Sequence, residues 1–399
     1  MAPTAIKMRR YNITMTILDF DVRQDFPLTK KMVYMNSGAI APTPMAVIKA
    51  TTNYLLKCAE EGPDSQGVSE YTTSLLNEVR TRVAHLINCD RDEVVLTQST
   101  TDGINMVANG LEWNRGDAIV VRGGSHEHYA NYFQWLRLAK ERGVLLRELA
   151  IDADGFFDIS NLEEQARGSK LIAMSHALYN TGAIIPVEEV GRIARENNAL
   201  FCIDAAQSAG TVSVDVRKIG CHFMAFPGFK WLCGPNGIGV LYCSKEASEK
   251  LRPPSIGGES ATLAGGTLAY SEMPNRLQAG FRNYPGAAGI EAALRYVLRL
   301  GIDSIRDMNM KVAGVLRQEM SRVPGATLIG PDDDKLRTSI VTFTVPKDPG
   351  FIVRKLSESN IVLAERDIGG GKKAIRASPH FFNTEEESAS VASEIRRLL

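Results

Sequence analysis

Residues 187–210 read VEEVGRIARENNALFCIDAAQSAG, and this stretch decides the fold class. Val187–Asn197 is an amphipathic helical pattern. Leu200–Ile203 is a short unbroken apolar run that ends on a carboxylate, Asp204. A helix feeding at once into a buried strand is half of a strand–helix–strand unit. Working outward, similar runs occur at Val94–Thr97, Ala118–Val121, Leu145–Leu149, Leu171–Ser175 and Ile238–Tyr242, and an amphipathic helix over Ser69–Leu86. This alternation predicts an α/β fold with a mostly parallel sheet covered on both faces. In such a sheet ligands bind beyond the carboxyl ends of the strands, so the residues just after each strand are the candidates.

The chain has 399 residues, with 46 Lys+Arg against 46 Asp+Glu, 44% hydrophobic and 23% charged residues. That balance excludes intrinsic disorder and the basic footprint of a general nucleic-acid binder. The length sets a prior of two or three domains. Pro253–Gly280 is rich in Gly, Ser and Pro. After Pro285 the pattern turns to helices over Gly286–Leu300 and Asp303–Val323, a strand at Ser339–Thr344, a helix over Phe351–Ser359, and a closing helix from Thr384. We therefore expect a large domain over 31–285 and a smaller α+β domain over 286–399, with residues 1–30 packing beside the latter. Gly369–Gly371 marks a tight turn before a strand at Ala374–Ser378.

The six cysteines, Cys58, Cys89, Cys202, Cys221, Cys233 and Cys243, form no C-x-x-C pair. They read as reduced thiols of a cytoplasmic protein. No signal peptide or membrane-spanning run is expected.

Four places carry chemical signals. Between Ile219 and Ser244 the only charged residue is Lys230. Desolvation lowers a lysine pKa and makes it a nucleophile, although a lysine can also snorkel its head to water. Asp204, ending its strand, can hold a metal, pair with a cationic ring nitrogen or cap a helix. Ser99, Thr100 and Thr101 open the helix after the Val94 strand, as an anion site or as ordinary caps. His126 and His128 lack a third ligand at metal-binding spacing, so no metal is expected. A ring there can stack on a flat cofactor. Together, a lysine for an aldehyde, an acid for a pyridine nitrogen and hydroxyls for a phosphate are the parts that pyridoxal 5′-phosphate (PLP) requires.

The motifs VYMNSGAIAPTP, QSTTDGINMVANGL, EHYANYFQW, SHALYNTGAIIPVEEV, IDAAQSAG, FKWLCGPNGIGVLY, LQAGFRNYPG and IRASPHFFNTEEE run in order from about Val33 to Asn383. Their order resembles the class V aminotransferase and cysteine desulfurase family of fold type I PLP-dependent enzymes. The resemblance implies a large domain with a mostly parallel seven-stranded sheet between helices, and a smaller α+β C-terminal domain. It implies PLP as cofactor, with Lys230 as the Schiff-base lysine, Asp204 on the pyridinium nitrogen, Gln207 beside the ring oxygen and His128 stacked on the ring. Thr100 and Thr101 resemble the phosphate-binding pair, and Asn180 the asparagine near the ring hydroxyl. Asn36 and Ser37–Ala39 resemble the loop lining the substrate side. Arg376 resembles the arginine that clamps the substrate carboxylate, a bidentate task suited to guanidinium, and Arg366 a second basic residue there. It further implies a homodimer with shared sites.

The departures are informative. Phe229 stands where the family usually has His, Pro227 where Ser or Thr is common, and Phe281 where a threonine reaches the neighbouring subunit's phosphate. Each lost contact to a charged group is worth about 1.5–3 kcal/mol, and Arg282 is the candidate to compensate. The loop at 364–376, AERDIGGGKKAIR, lacks the persulfide-forming cysteine of desulfurases. The short loop resembles the isopenicillin-N-epimerase-like branch. The expected activity is transamination or β-elimination (C–S lyase) on an amino acid. Alternatives are desulfurase or selenocysteine-lyase chemistry without the loop cysteine, epimerisation, or a non-catalytic PLP-fold binding protein. A dinucleotide-binding dehydrogenase is excluded for want of a G-x-G-x-x-G after a strand.

Overall fold

The computed structural model describes residues 22–123 and 126–399. Most of the expected 1–30 segment thus lies outside the described residues. The described part of that segment reaches the end of the chain: Arg23 donates to the Phe382 carbonyl at 2.7 Å and pairs with Glu387, and Phe26 packs on Phe382.

After a two-residue strand β1 (Val33–Tyr34), seven strands build the main sheet. They are β2 (Val94–Thr97), β3 (Ala118–Arg122), β4 (Leu145–Leu149), β5 (Leu171–Ser175), β6 (Leu200–Asp204), β7 (Phe223–Pro227) and β8 (Gly239–Cys243). Their order is β2-β8-β7-β6-β5-β3-β4. Every pairing is parallel except those of β8, which runs against both neighbours. Alternate residues of β6 feed two separate cores. Phe201 and Ile203 join the cluster on one face, Leu200 and Cys202 the cluster on the other. Except at the edge strand β4, the sheet is thus buried on both sides, and this is why its strands read as continuous apolar runs.

The helix Val187–Glu196 buries Val187, Val190, Gly191, Ile193 and Ala194 along one face. Gly191 is required there, because a Cβ would lie 1.7 Å from the Ile219 carbonyl oxygen. The strand Phe223–Pro227 was not among those read from the sequence. Its FMAFP run has no polar alternation and merges with the apolar stretch around Lys230. It is a central strand, and its proline is tolerated at the last position, where the ladder ends.

A hairpin, β9 (Ala261–Ala264) and β10 (Thr267–Tyr270), lies within the Gly- and Ser-rich stretch. A second sheet of four antiparallel strands follows: β11 (Thr327–Ile329), β12 (Val341–Thr344), β14 (Ala364–Asp367) and β15 (Lys373–Ala377), in the order β11-β12-β15-β14. Helices Ile302–Ser321, Pro349–Glu358 and Glu385–Leu398 pack on it through Val312, Leu316, Ile352, Leu356, Val391 and Ile395. The short strand β13 (Ile361–Val362) pairs with β1, and Asn36 bridges to Ser378. The segment after β1 is thereby tied to β15. The β14–β15 turn carries Gly369, Gly370 and Gly371, all at positive φ (111°, 60°, 75°), a backbone region that only glycine occupies freely.

Candidate active site

The carboxyl ends of β2, β5, β6 and β7 open on a cavity of about 490 Å³. The main sheet supplies Thr100, Thr101, His128, Asp204, Gln207 and Lys230. The second sheet supplies Arg366 and Arg376, and the segment after β1 supplies Gly38, Ala39 and Ile40. Residues separated by more than 300 positions meet here because β15 and the post-β1 segment pair with each other.

Lys230 follows β7 by three residues and is half-buried. Burial lowers its pKa to about 8; Asp204 opposes the shift, and Arg376 and Arg366 add to it. Its ammonium makes no hydrogen bond or ion pair among the described residues. Asp204 ends β6, buried, with its Oδ1 accepting from the Ala206 N–H at 2.8 Å. Burial raises its pKa to about 6, against the pull of Lys230 and the Ala206 N–H and with a push from Glu127. His128 presents an exposed ring to the cavity, held by the Ala130 N–H donating to its Nδ1 at 3.1 Å and by an edge contact with Tyr179. Burial of its surroundings, then Lys230, Arg366 and Arg376, lower its pKa to about 4, so it is neutral at pH 7.

Glu127 anchors the backbone beside His128. It is buried 3.6 Å from the fully buried Arg122, and accepts from the Ser175 N–H, the Ser175 hydroxyl and Asn131. Ser99 caps the helix Thr100–Gly110 by accepting from the Asp102 N–H at 3.2 Å. Thr100 and Thr101, its first two residues, line the cavity at the first turn, where unpaired backbone N–H groups suit an anion. Pro227 and Phe229 line the same cavity and bring no donor.

The substrate-side residues are less uniform. Arg376, buried on β15, donates to the Tyr179 carbonyl at 2.6 Å and to Asn36 Oδ1 at 3.1 Å, while its Nε has no partner. Asn36 thus acts on the cavity through Arg376. Asn180 is buried behind the wall, donating to the Asp367 carbonyl and facing His126; neither Asn36 nor Asn180 is among the lining side chains. Arg282 does not line this cavity either. It lies with Phe281 in a separate cleft of about 570 Å³ and pairs with Glu259 at 2.6 Å.

Sequence reasoning missed Trp231 and Tyr179. The buried indole of Trp231 donates to Gln207 Oε1 at 2.9 Å, while Gln207 Nε2 donates to the Gly38 carbonyl at 2.8 Å. The signal was present: an indole N–H next to Lys230 in an apolar run must find an acceptor. Tyr179 lines the cavity immediately before Asn180 in the SHALYNTG motif.

Among the described residues, no cysteine lines the cavity. Cys202, Cys221, Cys233 and Cys243 are buried, and burial pushes their thiols well up; it pushes that of Cys89 up to about 12. Among the described residues, no three His, Cys, Asp or Glu side chains converge to hold a metal.

The cavity fits PLP. It offers an unpaired lysine of lowered pKa for the aldehyde, a buried acid for the pyridine nitrogen, a helix N-terminus for the phosphate and a neutral ring to stack. The comparisons agree. The family model of class V aminotransferases matches residues 33–389. A probable cysteine desulfurase of Methanothermobacter thermautotrophicus is 35% identical over 386 residues, 92% of this chain and 94% of that protein. The apo structure of a cysteine desulfurase from Thermococcus onnurineus superposes with a TM-score of 0.89 at 33% identity, covering 95% of this chain and 97% of that one. C-DES, a cystine C–S lyase solved with its product cysteine persulfide, superposes at 0.86 with 26% identity, covering 93% and 99%. A C-DES variant with glycine covalently linked to its PLP gives 0.87 at 25% identity, covering 94% and 98%. The chain belongs to the class V aminotransferase family of PLP-dependent enzymes.

Proposed function

We propose that this enzyme cleaves the Cβ–S bond of a sulfur-bearing amino acid by β-elimination, as a C–S lyase. The observation that carries this reading is the absence of any cysteine among the described residues lining the cavity. Converting cysteine to alanine removes sulfur at the oxidation level of the element, and a nucleophilic thiolate must collect it. Elimination needs no acceptor: the sulfur leaves with its bonding electrons, and the released enamine hydrolyses to pyruvate and ammonium.

PLP, when bound, supplies an electron sink for the bond-breaking at Cα. The chain supplies the rest. Lys230 would hold the cofactor through its aldehyde and would take the Cα proton on Nζ; a pKa near 8 leaves part of the amine as free base at neutral pH. Asp204 would hold the proton of the ring nitrogen, Gln207 would donate an N–H to the ring oxygen, and His128 would stack on the ring. Thr100 and Thr101 would hold the phosphate. Arg376, oriented by Asn36, takes the α-carboxylate, and Arg366 stands beside it. Asn180 positions the wall behind the ring.

A second reading has one observation in its favour. The relatives are named for cysteine desulfuration, which this chain would perform only by delivering sulfur to an external thiol. Product analysis on L-cysteine separates the two. Pyruvate, ammonium and sulfide in equal amounts support elimination; alanine in place of pyruvate, formed only with added thiol, overturns it.

The relatives named above give no support to the isopenicillin-N-epimerase-like branch. We further propose a homodimer, since Phe281 is 93% exposed and Ile256, Leu263 and Leu268 are exposed as well. In that dimer Arg282 would serve the neighbouring subunit's phosphate. We take residues 31–285 and 286–399 as the large and small domains, and the enzyme as cytoplasmic; no described helix is long and apolar enough to cross a membrane.

A further inference from the structure

Arg366 and Arg376 stand on neighbouring antiparallel strands. Arg366 is paired with Ala374, and Arg376 lies two residues further along β15. Both side chains therefore project from the same sheet face as diagonal neighbours, at Cβ positions roughly 7–8 Å apart, and both line the cavity. Neither has a carboxylate partner among the described residues. Arg366 makes one hydrogen bond, to the Glu365 carbonyl at 2.7 Å; Arg376 makes its two and leaves Nε unpartnered. Three cationic side chains, Lys230, Arg366 and Arg376, face one carboxylate, Asp204. A cofactor phosphate at Thr100 and Thr101 belongs to the helix N-terminus on the main sheet. One substrate carboxylate satisfies Arg376. A second guanidinium remains, on the same wall of the cavity as Arg376.

From this juxtaposition we infer that the substrate is an α-amino acid carrying a second anionic group on its side chain, with Arg376 taking the α-carboxylate and Arg366 the distal anion. The inference rests on the amino-acid chemistry proposed above. For an S-sulfonated cysteine the step balances without an oxidant or reductant. Lys230 removes the Cα proton, the Cβ–S bond breaks, its electron pair leaves on thiosulfate, and water converts the enamine to pyruvate and ammonium. Arg366 would meet charge already present on the side chain and hold it as the leaving group departs.

The test compares S-sulfocysteine with β-chloroalanine, which eliminates without a second anion, in the PLP-loaded enzyme and in Arg366→Gln and Arg366→Lys. A hydrogen-bonded charge pair predicts that Arg366→Gln lowers the ratio of kcat/KM for S-sulfocysteine over β-chloroalanine about 10- to 100-fold, with Arg366→Lys recovering part of it. Calorimetry supplies an arm without turnover: succinate binds at least tenfold tighter than butyrate to the parent, and the preference collapses in Arg366→Gln. A ratio unchanged by Arg366→Gln, with both substrates falling together, means that the two arginines share one carboxylate and overturns the inference. Equal binding of succinate and butyrate to the parent overturns it as well. Pyruvate from β-chloroalanine alongside either result leaves the elimination reading standing, so the two failures are distinct.

Discussion

The Trp231 indole and the Gln207 amide form a buried hydrogen bond of 2.9 Å whose direction is fixed by chemistry. An indole nitrogen only donates, so Gln207 must turn Oε1 toward Trp231. Its Nε2 is then directed to the Gly38 carbonyl with one N–H left over. Gln207 can only donate into the cavity. Trp231 is itself held, since His380 Nε2 lies 3.1 Å from its carbonyl and Asn309 faces the other ring nitrogen.

Trp231→Phe should therefore free the Gln207 amide to rotate. A donor to the cofactor's ring oxygen is lost for part of the time, and the pH titration of the visible band of lysine-bound PLP should shift upward. A merely structural role would lower the melting temperature without moving that titration. The double variant settles the route: in a Gln207→Ala background, Trp231→Phe should move the titration no further. An additive shift would show that Trp231 does not act through Gln207.

The lowered pKa of Lys230 gives a signed pH dependence. Only the neutral amine attacks an aldehyde. With a pKa of about 8, roughly a tenth of the lysine is neutral at pH 7, against well under a thousandth for an ordinary lysine. The rate of PLP capture by the apoprotein should rise about fivefold from pH 7 to 8, reach about tenfold by pH 9 and level off above it. Lys230→Ala should show no visible band at any pH. Capture that keeps climbing to pH 10.5 would mean that the amine is not desolvated in the way its surroundings require.

Much of this was legible beforehand, and the reasons are physical. Strands buried on both faces leave apolar runs of four or five residues, so β2 and β5 could be bounded to the residue. The closing helix read from Thr384 spans Glu385–Leu398, and the structure shows Thr384 and Glu387 forming its reciprocal cap. The strand β7 was hidden because it shares one apolar stretch with the Lys230 loop. At the site, Lys230 and Asp204 were visible as charges where charge is costly. Trp231 was not, because a tryptophan in an apolar run looks like packing until its N–H finds Gln207. The Arg366–Arg376 diagonal depends on strand register, which no local pattern reveals.

Arg122 and Glu127 are both buried, 3.6 Å apart, with Glu127 also taking the Ser175 N–H. Breaking a buried pair strands the remaining charge, at a cost of about 3–5 kcal/mol. Glu127→Gln should lower the denaturation midpoint accordingly. Replacing both partners, as Arg122→Met with Glu127→Leu, should recover a large share of the loss. Because Glu127 also ties the His128 backbone to β5, the double variant should regain stability without regaining the parent's PLP affinity. Full recovery of both would show that the pair serves folding alone.

The exposed ring of Phe281 is the sharpest test of the proposed dimer. At 93% exposure it meets Tyr284 edge-on at 6.1 Å. Burying such a ring is worth about 1.5–3 kcal/mol, and a two-fold interface counts each substitution twice. Phe281→Ser should therefore weaken self-association by about a hundredfold or more, read by sedimentation velocity across a dilution series. Arg282 sits next to it, tethered by Glu259. If it serves a neighbouring phosphate, Arg282→Ala should weaken PLP binding roughly tenfold while the sedimentation coefficient holds. Phe281→Ser should weaken PLP binding only at concentrations where the dimer falls apart. PLP affinity indifferent to both changes would assign the phosphate wholly to Thr100, Thr101 and their helix.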